Sequence, residues 1–252
     1  MKKQMVIMNF SHVYEEERFL HNPKFRWIDC THLQGTDCYC DPEAESRLKK
    51  LIAPYSVEGI HWIDSGDYHY LTKIWTDKID YPFSLVVFDH HPDMQPSLFE
   101  GLLSCGCWVR TMLEENKYLQ KVCIIGASEQ LKKETEGYDQ RLLYYSEQTL
   151  NHEEAWKLFS KFYLNEPVYM SVDKDVLSKS YINTNWDQGS MTLPQLRKLM
   201  DVILYREEII GIDICGEAKG TLDDVMLGME GELRNEQTNE NLFDFIRKHH
   251  WN

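Results

Sequence analysis

The residues that first suggest chemistry form a short polar segment directly after an apolar run. Residues 84–88 are apolar apart from the first serine, and they lead into Asp89-His90-His91-Pro92-Asp93. On an extended backbone, side chains two residues apart point the same way, so Asp89, His91 and Asp93 should converge while the two residues between them face away. Two carboxylates and one imidazole on the same side form half of a divalent-metal site.

Two further acidic segments also follow apolar runs. Residues 167–172 lead into Asp173-Lys174-Asp175, and residues 61–63 lead into a segment that ends at His69. A lone D-x-D is usually a turn or cap feature, and His69 by itself would more often be a satisfied polar residue. If the runs are parallel strands, however, their carboxyl ends meet at one sheet edge, where so many carboxylates would repel each other unless cations neutralise them. The three segments together therefore predict a metal site.

Short apolar runs alternate with amphipathic stretches along the chain. The predicted strands are Met5–Phe10, Arg26–Asp29, Gly59–Ile63, Ser84–Phe88, Lys121–Gly126, Val168–Val172 and Ile209–Ile214. The predicted helices are Pro42–Ala53, Tyr68–Lys78, Ser104–Asn116, Ser128–Glu136, His152–Leu164, Leu193–Tyr205 and Glu240–His249. Several strands lack polar alternation, as expected for strands covered on both faces. The pattern predicts an α/β fold with a mainly parallel sheet in a three-layer α/β/α arrangement, and one domain over residues 1–252.

Composition restricts the classes of partner. The net charge of −14 argues against nucleic acid and anionic membranes, whose phosphates attract basic surfaces. No apolar run approaches the roughly 20 residues needed to span a bilayer, so we expect a cytoplasmic protein. The seven cysteines are odd in number and lack C-x-x-C spacing, which favours reduced thiols over disulfides or a zinc site.

The three acidic segments resemble the signatures of a known superfamily. Asp89-His90-His91-Pro92-Asp93 resembles the D-x-H-x-D signature of the arginase/agmatinase ureohydrolases, and Ser171-Val172-Asp173-Lys174-Asp175 resembles their later S-x-D-x-D signature. Ser65-Gly66-Asp67-Tyr68-His69 is similar to their Gly-Gly-Asp-His segment, with one extra residue before the histidine. The resemblance implies an arginase-like fold carrying two Mn²⁺ ions bridged by a hydroxide, which attacks a guanidinium carbon and releases urea.

The resemblance also implies which residues bind the ions. One ion would be held by His69, Asp89, Asp93 and Asp173. The other would be held by Asp89, His91, Asp173 and Asp175, so that two aspartates are shared. Oxygen-rich ligation with two imidazoles suits Mn²⁺, while zinc, iron, cobalt and nickel stay open. The implied substrate is a small cationic guanidino or amidino compound, or an arginine within a peptide, and the family forms homo-oligomers.

Two of the candidate catalytic positions depart from the superfamily pattern. Cys105, in Ser104-Cys105-Gly106, stands where ureohydrolases carry a histidine that assists proton transfer, and a thiol is a poorer proton shuttle at neutral pH. A packed residue at a helix start is the alternative interpretation of Cys105. Glu217 lies one position later than the glutamate that binds the guanidinium group in the superfamily, and we expect it to contact the substrate cation. The candidate catalytic residues are Asp89, His91, Cys105, Asp175 and Glu217.

Two other functions are consistent with the same residues. A deacetylase-like amidohydrolase would share the fold but bind one zinc ion, and Tyr68 or Tyr70 could then serve as its tyrosine. A non-catalytic metal-binding protein is the second alternative, because Cys105 replaces the usual histidine. The six retained metal-binding positions favour the hydrolase with two ions.

Overall fold

A parallel sheet forms the centre of the molecule. The computed structural model describes residues 4–99, 101–150, 163–219 and 228–250. The strands are β1 (Gln4–Asn9), β2 (Phe25–Asp29), β3 (Tyr39–Cys40), β4 (Gly59–Trp62), β5 (Phe83–Phe88), β6 (Leu103–Ser104), β7 (Leu119–Ile125), β8 (Leu142–Tyr145), β9 (Val168–Asp173) and β10 (Ile209–Cys215). Eight of them pair in parallel in the order β2-β1-β4-β10-β9-β5-β7-β8. The short strands β3 and β6 form a separate antiparallel ribbon.

Helices cover both faces of this sheet. They are α1 (Pro42–Ile52), α2 (Leu71–Thr76), α3 (Trp108–Glu115), α4 (Glu147–Leu150), α5 (Leu193–Arg206) and α6 (Gly228–His250). Within β5, Leu85 and Val87 pack into the core on the side of α1, α2 and α3, whereas Val86 and Phe88 pack into the core on the side of α5 and α6. The alternation places two hydrophobic cores on opposite faces of one sheet. The predicted three-layer α/β fold is therefore confirmed.

Local signals in the sequence explain where two helices begin. Asp41 precedes Pro42 at the start of α1, and its carboxylate accepts a hydrogen bond from the backbone N–H of Ala44. Thr192 and Gln195 form a reciprocal capping box at the start of α5. Each cap satisfies backbone N–H groups that have no partner inside the helix.

Several predicted helices have different bounds or a different type in the structure. The helix predicted over Ser104–Asn116 begins only at Trp108, because Ser104 pairs with β3. The segment predicted as helix over Ser128–Glu136 is a 3-10 helix over Glu129–Thr135. The helix predicted over His152–Leu164 falls mostly outside the described residues. None of the helices in the described part of the chain combines the length and apolar character that a membrane span requires.

Candidate metal centre

The predicted metal residues lie at the carboxyl ends of neighbouring central strands. His69 follows β4, Asp173 ends β9, and Asp89 follows β5, while Cys215 ends β10 between β4 and β9. In parallel sheets this edge is where ligands bind, because the loops that leave it can diverge around a crevice. The four strand ends therefore bring together residues that are more than 140 positions apart in the chain.

The first group of potential ligands surrounds His69. Its Nδ1 atom lies 3.1 Å from Asp89 Oδ2 and 3.1 Å from Asp93 Oδ2, and 3.6 Å from Asp173 Oδ2. All four side chains are buried. The ligand atoms of His69, Asp89 and Asp93 lie close enough together to bind one ion, and Asp173 forms a similar group with His69 and Cys215.

The second group surrounds His91. Its Nδ1 atom lies 2.8 Å from Asp175 Oδ2 and 3.7 Å from Asp89 Oδ1. The two oxygens of Asp89 thus face different imidazoles, His69 on one side and His91 on the other. The structure brings together all six residues that the sequence predicts as metal ligands, and Asp89 lies between the two groups.

The segment from Asp89 to Asp93 reaches this geometry by turning rather than by staying extended. Asp89 Oδ1 accepts a hydrogen bond from the backbone N–H of His91, and Asp93 adopts a left-handed conformation with φ of +52°. As a result Pro92 lines the cavity. The expectation that Pro92 faces away is wrong, because the strict alternation of a strand ends with Phe88. A non-glycine residue in the left-handed region is strained, and such strain concentrates at functional sites.

The buried carboxylates repel one another. Burial, followed by the charge of Asp89, raises the pKa of Asp93 to about 7 and also raises the pKa of Asp173. Burial and the charges of Asp173 and Asp89 raise the pKa of Asp175 well above its ordinary value. For Asp89, burial acts in the same direction, but hydrogen bonds with His69 and His91 lower its pKa. A set of oxygen and nitrogen donors with this excess of negative charge fits divalent cations.

These residues form the floor of a cavity of about 220 Å³. Its wall includes Cys38, Gln95, Cys105, Leu131, Glu134 and Trp186. Cys105 is partly buried, and burial followed by the charge of Asp93 raises the pKa of its thiol, so it stays protonated at neutral pH. Cys105 thus lines the cavity as a neutral thiol, and its correspondence to the superfamily's histidine stays a prediction.

Glu217 is the predicted site residue that the structure does not bring into the cavity. Its buried carboxylate accepts hydrogen bonds from Lys174 Nζ, from Asn239 Nδ2 at 2.6 Å and from Asn235 Nδ2 at 2.8 Å. Lys174 lies between the two aspartates of the second signature and is fully buried. Glu217 thus connects the turn at Lys174 to α6 through hydrogen bonds, and its contact with a substrate stays a prediction.

The tyrosines considered for a deacetylase also lie away from the cavity. Tyr68 stacks on Phe10 with ring centroids 4.1 Å apart, and the Tyr70 hydroxyl donates to the carbonyl of Thr36 at 2.6 Å. Both rings belong to the core. No described feature of the cavity therefore favours the deacetylase alternative.

Three buried residues beside the site are absent from the sequence-based set. His69 Nε2 lies 2.9 Å from Ser171 Oγ, which donates to Asp213 Oδ1 at 2.5 Å. The Cys215 thiol donates a hydrogen bond to Asp173 Oδ2 at 3.1 Å. Its sulfur lies within 4.8 Å of ligand atoms of both His69 and Asp173, so it could bind the same ion as they do. One sequence signal could have indicated Asp213, because it interrupts an otherwise apolar strand.

Comparison with known proteins agrees with this arrangement. A family model described as the Arginase family matches residues 49–224. The chain is 32% identical over 211 residues to an uncharacterized protein of Thermotoga maritima, a match that covers 84% of this chain and 78% of that protein.

Solved structures show the same fold. A formimidoylglutamase from Bacillus subtilis superposes with a TM-score of 0.70 at 14% identity, covering 99% of this chain and 88% of that one. An agmatine ureohydrolase of Thermoplasma volcanium superposes with a TM-score of 0.57 at 18% identity, covering 82% of this chain and 68% of that one. The family match extends over more than half of the chain and includes all six predicted ligands. This chain belongs to the arginase family.

Proposed function

We propose that this protein is a metal-dependent hydrolase of the ureohydrolase type, which cleaves a C–N bond of a guanidino or amidino compound. The observation that carries the proposal is the convergence of two imidazoles and four buried carboxylates on one cavity. Membership of the arginase family supports it, as do structural neighbours named as a formimidoylglutamase and an agmatine ureohydrolase.

The six converging residues would hold two divalent ions. His69, Asp89, Asp93 and Asp173 would bind one ion, and Asp89, His91, Asp173 and Asp175 would bind the other. Mn²⁺ is the ion that we propose, because it accepts mostly oxygen ligands together with imidazole. Such a pair lowers the pKa of a water molecule and stabilises negative charge on the substrate.

The side chains of the cavity would position the attacking water and the substrate. Hydrolysis joins the oxygen of water to the amidino carbon and breaks the bond from that carbon to an amine, which takes up a proton. His91 and Asp175 line the cavity, and as ligands of the second ion they would hold the attacking water beside the amidino carbon, so that the proton this water loses passes to the amine. The protonated thiol of Cys105 can donate a hydrogen bond to the substrate but is a weak acid.

Urea and ammonia release would test this function. Protein reconstituted with Mn²⁺ is incubated with arginine, agmatine, 4-guanidinobutyrate and an arginine-containing peptide, together with the variants Asp175→Ala and Asp139→Ala. We expect product from the wild type and from Asp139→Ala, whose aspartate is exposed and lies outside the cavity wall, and at most a trace from Asp175→Ala.

Metal analysis of the same samples separates the alternatives. Two ions per chain without product from any compound would contradict the hydrolase and favour a non-catalytic metal-binding protein. One zinc ion per chain with hydrolysis of an acetylated amine would favour the deacetylase. The compound that reacts fastest identifies the substrate class.

A further inference from the structure

The wall of the cavity carries one carboxylate that the metal centre does not use. Glu134 lies in the 3-10 helix Glu129–Thr135, is partly buried, and lines the cavity beside Leu131. Among the described residues, none donates a hydrogen bond to this carboxylate or forms an ion pair with it. By contrast, Glu129 in the same 3-10 helix pairs with Lys132. A partly buried carboxylate without a hydrogen-bond partner needs a ligand or ordered water to compensate its lost hydration.

Outside the metal-binding residues, the charge of the described cavity wall is negative. Among the described residues that line the cavity, none is lysine or arginine. Lys219 is not part of the lining, and it is paired with Asp37 and, at 2.6 Å, with Asp67. The positive charges that act on Glu134 are those of Lys133, which lies outside the cavity lining, and of His91 at the metal centre. A carboxylate at the far end of a substrate would therefore meet Glu134 with no lysine or arginine in the lining to bind it, whereas an ammonium group would find a carboxylate acceptor there.

We propose that Glu134 determines specificity by binding a cationic group at the end of the substrate opposite the reacting amidino carbon. This inference rests on the proposed function and narrows its substrate class to amino-guanidino or amino-amidino compounds, as opposed to guanidino acids. The apolar parts of Leu131 and Trp186, which also line the cavity, would cover the alkyl chain that joins the two ends. Glu134 touches the substrate without taking part in the bond changes.

Two compounds of similar length provide a matched test. Agmatine and 4-guanidinobutyrate carry the same guanidino group, but the first ends in an amine and the second in a carboxylate. Binding of each compound to Mn²⁺-loaded protein is measured by calorimetry, and urea release by steady-state kinetics, for the wild type, Glu134→Gln, Glu134→Lys and Glu129→Gln. The last variant is the control, because Glu129 shares the 3-10 helix but not the cavity wall.

We expect the wild type and Glu129→Gln to bind agmatine at least about tenfold more tightly than 4-guanidinobutyrate, and Glu134→Gln to reduce that ratio by about tenfold. Glu134→Lys should invert the preference, an outcome that simple loss of structure cannot produce. Equal binding of both compounds by the wild type, binding of neither, or an unchanged ratio in Glu134→Gln would overturn the proposal.

The two readouts keep this inference distinct from the proposed function. Selective binding of agmatine without urea release would contradict the hydrolase but leave the role of Glu134 intact. Urea release from both compounds at equal kcat/KM would support the hydrolase and contradict the role of Glu134.

Discussion

At the scale of single residues, the orientation of His69 depends on a buried chain of hydrogen bonds. Ser171 Oγ donates its proton to Asp213 Oδ1, so towards His69 it can only accept, and His69 Nε2 must carry the proton. The lone pair of His69 then lies on Nδ1, the atom that faces Asp89 and Asp93. A metal-binding histidine is commonly oriented by such a partner on its other nitrogen.

Replacing Ser171 by alanine should therefore weaken metal binding without unfolding the protein. We expect Ser171→Ala to lower the affinity for the ion at His69 by about 10- to 100-fold, the usual effect of removing such a partner. Titration with Mn²⁺, followed by calorimetry, measures this change. The control is Thr72→Val, because Thr72 Oγ1 also contacts Ser171 but leaves the bond to His69 in place. Equal affinities in wild type and Ser171→Ala would contradict the role of this hydroxyl.

The composition of the site could be predicted from the sequence, but its supporting contacts could not. Residues such as Asp89 and Asp173 follow apolar runs directly, so a parallel sheet has to gather them at one edge. The pairing of Ser171 with His69 joins residues 102 positions apart, and no local pattern specifies it. The sequence leads us to expect that Glu217 contacts the substrate, but it does not show that this residue has a buried partner. That partner, Lys174, lies between two predicted ligands in the sequence and points into the core instead of towards solvent.

At the scale of elements, the carboxyl ends of β9 and β10 pack tightly enough to restrict one position to glycine. Gly216 directly follows β10 with φ of +88°. A Cβ atom added there would lie 2.4 Å from Asp173 Oδ1 and 2.7 Å from the backbone nitrogen of Lys174. The backbone of this turn thus forms part of the wall against which Asp173 is positioned.

Gly216→Ala should reduce both stability and metal binding. The left-handed backbone alone costs about 1–3 kcal/mol for alanine, and the clash with Asp173 adds to that cost. Gly137→Ala provides the matched control, because Gly137 has φ of +89° but no atom within 4 Å of an added Cβ. Denaturant unfolding and Mn²⁺ titration should show a loss of stability in both variants and a loss of metal affinity in Gly216→Ala alone. Unchanged affinity in Gly216→Ala would show that Asp173 tolerates displacement.

The central strands could be predicted more reliably than the edges of the fold. Buried strands such as β5 are continuous apolar runs, and their predicted limits differ from the structure by one or two residues. The edge strand β8, Leu142–Tyr145, is an apolar run of only four partly exposed residues, which is too short for its pattern to identify a strand. The ribbon of β3 and β6 is two residues long on each side and depends on pairing between distant segments.

At the scale of the whole molecule, the metal centre concentrates negative charge inside a protein that is already strongly acidic. The net charge of the chain is −14, and five buried carboxyl groups lie in or directly beside the centre: Asp89, Asp93, Asp173, Asp175 and Asp213. Protons can partly neutralise these groups at low pH, whereas at neutral pH bound metal cations have to neutralise their negative charge. We therefore expect folding stability to depend on metal and pH together.

Removing metal should destabilise the protein more as the pH rises. Asp93, with its pKa raised from 3.8 to about 7, favours folding while it is protonated and loses that contribution as the pH rises from about 4 to about 7. His91, whose pKa is raised to about 12 because hydrogen bonds with Asp175 and Asp89 outweigh the effect of burial, favours folding most strongly below its ordinary value of 6.5 and progressively less above it.

Both groups thus predict that the melting temperature of EDTA-treated protein falls between pH 6 and pH 8, whereas Mn²⁺-loaded protein changes less because bound cations replace the lost protons. Scanning calorimetry of both forms at these two pH values measures the difference between their melting temperatures, which should be larger at pH 8 than at pH 6. In Asp89→Asn, which removes the carboxylate between the two imidazoles, the two forms should melt together. A melting temperature of chelated wild type that rises with pH would mean that these carboxyl groups are neutralised by something other than protons and metal.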